Sequence, residues 1–103
     1  MRIEFTFDTR KIEEQGYALH DIYGTIKKNF AARNLPCVSE QDALVFTDNG
    51  AQDDYANMWS LIMALLRKDW FMEFADSCVW FEDDGSEEDV LSQAWKVRGR
   101  RMA

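Results

Sequence analysis

The first eight residues alternate without a break, with Ile3, Phe5 and Phe7 on one side and Arg2, Glu4, Thr6 and Asp8 on the other. A period of two is the spacing of a β-strand that meets a core on one face only. Such a strand is not stable alone, so the rest of the chain has to supply partners for its edges and a layer for its apolar side. With 103 residues, 47% of them apolar, the sequence is sized for a single domain, read here as residues 1–97. Residues 98–103 then form a basic tail: Lys96, Arg98, Arg100 and Arg101 crowd the last eight positions, and such ends are expected to be frayed and solvated.

Helical stripes supply the covering layer. From Tyr17 the apolar residues Leu19, Ile22, Tyr23, Ile26 and Phe30 recur three or four apart, which predicts a helix ending near Asn34. Arg10 to Gly16 reads equally as a first helical turn or a loop. Pro36 disfavours further helix, after which Cys37-Val38 and Ala43 to Thr47 flank a polar stretch as two strands flank a hairpin loop. Asp53 or Asp54 can cap a second helix carrying Tyr55, Met58, Trp59, Ile62, Leu65 and Leu66. Trp70 to Phe74 either extends that helix or opens the next strand, and Ser77 to Glu82 reads as a strand. Ser86 with Asp89 is a near match to a capping box ahead of a short third helix bearing Val90, Leu91 and Trp95.

This order predicts an α+β domain of the ferredoxin-like βαββαβ type, a four-stranded antiparallel sheet with two helices on one face and an extra C-terminal helix. Leu44 and Phe46 oppose Ala43 and Val45 on the third strand, and Cys78 and Trp80 oppose Val79 and Phe81 on the fourth. The uncovered sheet face is therefore expected to be greasy, and a second copy related by a two-fold axis to cover it. The alternative is a monomer whose third helix folds across the sheet. Paired edge strands would use the same apolar residues.

Several classes of function have no residues to carry them. The formal charge of −7 argues against a generic grip on nucleic-acid phosphates. No run approaches the roughly 18 apolar residues of a membrane helix, and the charged start is unlike a signal peptide, so the expectation is a cytoplasmic protein with no membrane partner. Cys37 and Cys78 lack a Cys-x-x-Cys spacing and read as buried free thiols. The single histidine, His20, lies beside Asp21 on a helix, where neighbours point apart. No catalytic triad order or Gly-rich phosphate loop is present. Glu82 to Asp89 packs six acids into eight residues without the alternation of an EF-hand, and reads as a solvated turn that favours the start of the third helix.

Asp8 is the candidate site residue. On the strand's alternation it falls on the uncovered face, where two such carboxylates across a two-fold axis can share a magnesium ion and activate water against a phosphodiester. From sequence alone the simpler account of the same Asp8-Thr9 pair is an ordinary turn or helix cap after a strand.

The strand ending Phe7-Asp8, the helix bearing Ile22-Tyr23 and Ile26, the strand Ala43-Leu44-Val45-Phe46, and Trp70-Phe71 ahead of Val79-Trp80-Phe81-Glu82-Asp83 together resemble the virulence-associated protein D family. Its members are small bacterial proteins related in fold to the small dimeric CRISPR adaptation subunit. The resemblance spans most of residues 1–95 in element order. It implies a homodimeric, toxin-like endoribonuclease with Asp8 as its catalytic or metal-binding residue and Mg²⁺ as its cofactor. RNA would then lie against Arg2, Arg10 and Lys11, with help from the basic tail. Two departures stand out: Gln41-Asp42-Ala43 replaces the family's Gln-Gly-Ser and loses the hydroxyl, and an Arg expected on the last strand, near Cys78-Val79, is missing. The second expectation is a catalytically silent dimer, a regulatory module of antitoxin or immunity type that presents its acidic surface to a basic protein.

Overall fold

The computed structural model describes the backbone of residues 1–102 and the side chains of residues 1–98. In order the elements are β1 (Arg2–Phe7), α1 (Thr9–Glu14), α2 (Leu19–Ala31), β2 (Cys37–Ser39), β3 (Leu44–Thr47), α3 (Asp54–Leu66), α4 (Asp69–Phe74), β4 (Ala75–Phe81), β5 (Glu87–Asp89) and α5 (Val90–Met102). The five strands form one sheet in the order β2-β3-β1-β4-β5, every neighbouring pair antiparallel. The expected tail over 98–103 begins inside α5, and the side chains beyond Arg98 lie outside the described residues.

Register explains the core. Ile3 sits opposite Phe46 on one side and Trp80 on the other, and Phe5 sits between Leu44 and Cys78. All six are buried on one face of the sheet, against Ile22, Ile26 and Phe30 of α2 and Met58, Ile62 and Leu65 of α3. Phe5 is the hub, meeting the rings of Phe30, Phe46 and Phe71 edge-on at centroid distances of 5.8–6.2 Å. Trp80 lies against Trp59 and Tyr55 of α3. Each such ring contributes about 2–3 kcal/mol of burial, so this face is where the fold is decided.

The two segments left open by periodicity are both short helices. Asp8 caps α1 through a bond from the Lys11 backbone N–H, and buried Ile12 anchors it. Trp70 to Phe74 belongs to α4, which Lys68 and Ala75 bound in extended conformation, so the chain makes a separate turn between α3 and β4. The helix predicted to reach Asn34 ends three residues earlier, and Asn34 takes a left-handed φ of 60° ahead of Pro36, a conformation Asn tolerates better than most residues.

Three expectations are corrected. The sheet has five strands: Glu87-Glu88-Asp89, expected to be a solvated turn, pairs with Val79, Trp80 and Phe81. The capping box is not formed, because Ser86 bonds Asp84 while Asp89 itself caps α5 by accepting from the Ser92 N–H and hydroxyl. The C-terminal helix does not cross the open sheet face. It lies beside α3 in the helical layer, where Arg98 donates to the Leu66 carbonyl and sits 3.6 Å from Asp69.

The open face is also less greasy than expected. On the central strand it carries Arg2, Glu4 and Thr6; Arg2 pairs with Glu4 and stacks 4.2 Å over the Phe81 ring, and the Thr6 and Ser77 hydroxyls bond across the β1–β4 pair. Val45 is already buried, and Val79 and Phe81 are half-buried.

Candidate functional site

Asp8 stands one residue beyond the end of the central strand. Its backbone N–H donates to the Phe74 carbonyl at 2.8 Å, which ties the start of α1 to the end of α4. Strand alternation does not carry through to it: the ladder shifts register between Thr6 and Phe7, and Asp8 turns the chain into α1. The carboxylate is half-exposed, and the cap occupies its Oδ1 at 3.2 Å from the Lys11 N–H. Oδ2 makes no hydrogen bond among the described residues.

Arg10 and Lys11 follow directly on α1, both exposed and neither in an ion pair among the described residues. Arg2 starts the same strand that Asp8 follows, six residues away, so the fold holds the two roughly 20 Å apart. The structure thus gathers Asp8, Arg10 and Lys11 at one end of β1 and leaves Arg2 at the other, engaged with Glu4 and Phe81.

Among the described residues no three His, Cys, Asp or Glu side chains converge as metal ligands. Mg²⁺ keeps several waters and is commonly held by one or two carboxylates, so the donor that Asp8 offers fits an outer, partly hydrated ion and not an enclosed protein cage.

The acidic stretch is accounted for locally. Glu82 accepts from the Trp80 indole at 2.7 Å, Asp84 accepts from the Ser86 N–H and hydroxyl, and Asp89 caps α5. Those serine bonds hold the Asp84 carboxyl below the usual carboxylate range. Burial pushes the Cys78 thiol up to about 12, and partial burial raises Cys37. His20 is exposed.

Sequence reasoning missed two features. Asp54 is buried, its Oδ2 accepting from the Asn49 and Ala51 N–H groups at 2.6 and 3.1 Å, so it ties down the loop before α3; the side-chain cap expected of Asp53 or Asp54 is not formed. The second is a groove of about 660 Å³ between α3 and α5, lined by Trp59, Met63, Leu66, Val90, Ala94 and Val97, with Arg67 and Arg98 at one end. The Trp59 indole N–H is buried with no acceptor. The groove exists only because α5 packs beside α3, a long-range arrangement that neither helix specifies alone.

Comparison of the chain with family models, with curated proteins and with solved structures returns no match.

Proposed function

We propose that this chain is a homodimeric, metal-dependent endoribonuclease of the virulence-associated protein D kind, with Asp8 as its metal-binding and catalytic carboxylate. The order of the first four strands, β2-β3-β1-β4 and all antiparallel, supports reading the sheet as ferredoxin-like with β5 added at one edge. The observation that carries the proposal is the place of Asp8: a half-exposed carboxylate at the end of the central strand, its main chain fixed by Phe74, one oxygen left over from the cap, and two unpaired bases on the next turn. Arg10 and Lys11 would contact RNA phosphates, and Asp8 would hold a hydrated Mg²⁺, which when bound would supply an activated water for attack on the phosphodiester.

The test has to separate the carboxylate's charge from its capping role. Asp8→Asn keeps a good N-cap and removes the charge, whereas Asp8→Ala also costs about 1 kcal/mol of helix capping. Wild-type protein with Mg²⁺ should cleave RNA, and Asp8→Asn should be folded and inactive. Equal cleavage by the asparagine variant, or none by the wild type, would overturn the reading. A second reading, a catalytically silent module that offers acids to a basic protein, is favoured by one observation: the side chains of β5 and of the turn before it, apart from half-buried Glu82, are exposed.

A further inference from the structure

We infer that the groove between α3 and α5 is an interface for a second copy of this chain, docked antiparallel through the helical layer. This surface lies on the opposite side of the molecule from the open sheet face; the inference rests on the homodimer of the proposed function, whose interface it names, but not on the role of Asp8.

Two of the groove's apolar walls are wet. Met63 and Val97 are 46% and 47% exposed, although the sequence has ample polar residues for a solvent-facing helix stripe. On α3 the lining residues Trp59, Met63, Leu66 and Arg67 are spaced as one face over two helical turns, and on α5 Val90, Ala94, Val97 and Arg98 repeat the spacing.

The two helices run parallel. Arg98 is bonded at Leu66, and only a parallel arrangement then lets Val90 and Trp59, each about two turns earlier, line the same groove. The groove therefore has two chemically distinct ends. At the Val90 end Glu88 bonds the groove-lining Gln93, and at the other end stand Arg67 and Arg98. Arg98 is engaged by Leu66 and Asp69, while Arg67 is exposed and in no ion pair among the described residues.

A surface that is acidic at one end and basic at the other is complementary to itself when turned by 180°. In a two-fold pair the helices of one copy run antiparallel to those of the other, Met63 and Val97 of each fill the other's groove, and Arg67 meets Glu88. Side by side, the segments that line the groove, nine residues of each helix, present roughly 270 Å² in projection and about 400 Å² once corrugated. The total, roughly 800 Å², lies below that of stable interfaces, so the association is weak, on the order of 100 micromolar.

Charge reversal tests the pairing directly. In sedimentation of the full chain at low salt, the wild type should show a monomer–dimer equilibrium. Arg67→Glu and Glu88→Arg should each weaken it at least about tenfold, and the double variant should recover most of that loss. Met63→Glu, at an exposed site, should leave the circular dichroism spectrum unchanged and abolish the dimer. A wild type that stays monomeric at several hundred micromolar would overturn the proposal, as would a dimer indifferent to Arg67→Glu or a double variant no better than the singles. Dissociation by Val79→Asp on the open sheet face, with Met63→Glu silent, would place the second copy on the sheet instead and equally sink it.

Discussion

Cys78 ties the stability of the sheet to pH through a single atom. Its side chain is fully buried between the sheet and the helices, and burial lifts its thiol from 9.0 to about 12. Between those values the unfolded chain loses a proton that the folded chain keeps, so stability is full below about pH 9 and falls as pH rises toward 12. The limiting slope is about 1.4 kcal/mol per pH unit. Denaturant midpoints measured from pH 8 to 11 should therefore drop more steeply for the wild type than for Cys78→Ala, although that variant starts lower because of the cavity it leaves. Parallel curves would mean that the thiol is reached by water. Of the two thiols expected to be buried, only Cys78 is sealed; Cys37 on edge strand β2 is half-buried, its Sγ donating to the Ser39 carbonyl.

Among the elements, α2, α3 and β1 were legible because each carries a sustained apolar period, broken in α2 only by Gly24, and β4 because it is an apolar run bounded by polar residues; their observed bounds differ from the expected ones by a few residues. What escaped the sequence depended on partners distant along the chain. Three consecutive acids have little intrinsic preference for a strand, and β5 exists because Val79, Trp80 and Phe81 offer backbone groups along an otherwise unpaired edge. The acids then suit that position, since charge on an outermost strand discourages pairing with another chain. Asp8 was legible in kind, as a strand-end acid or a cap, but not in orientation, because the register shift and the bond to Phe74 depend on α4. The start of α3 depends in a similar way on a buried group. Asp54→Ala would remove the buried acceptor that the N–H groups of Asn49 and Ala51 share beneath an exposed loop, and should cost about 1 kcal/mol. The urea midpoint should fall at unchanged slope, and Asp54→Asn, which keeps one acceptor oxygen, should lose less. No change in the alanine variant would mean that water satisfies both donors.

At the scale of the whole molecule, the balance of charge sets how the fold responds to salt. The chain carries nineteen acids and twelve bases, yet the side-chain ion pairs among the described residues are three: Arg2 with Glu4, Lys27 with Glu40, and Arg98 with Asp69. All three sit at or near the surface, where such pairs contribute about 0–1 kcal/mol each. Most acids are unpaired, and six of them crowd the segment from Glu82 to Asp89. Salt screens attraction and repulsion alike, so its net effect follows whichever is stronger, here the self-repulsion of a body with a charge of −7. Raising sodium chloride from about 20 to 300 mM should stabilise the fold by about 1 kcal/mol, a rise of roughly 4–8 °C in Tm for a domain of this size. The measurement belongs at low micromolar protein, because association through the α3–α5 groove would respond to salt in the opposite sense, Arg67 and Glu88 attracting each other across it. At that dilution a Tm that falls with salt would show that the few ion pairs outweigh the crowded acids.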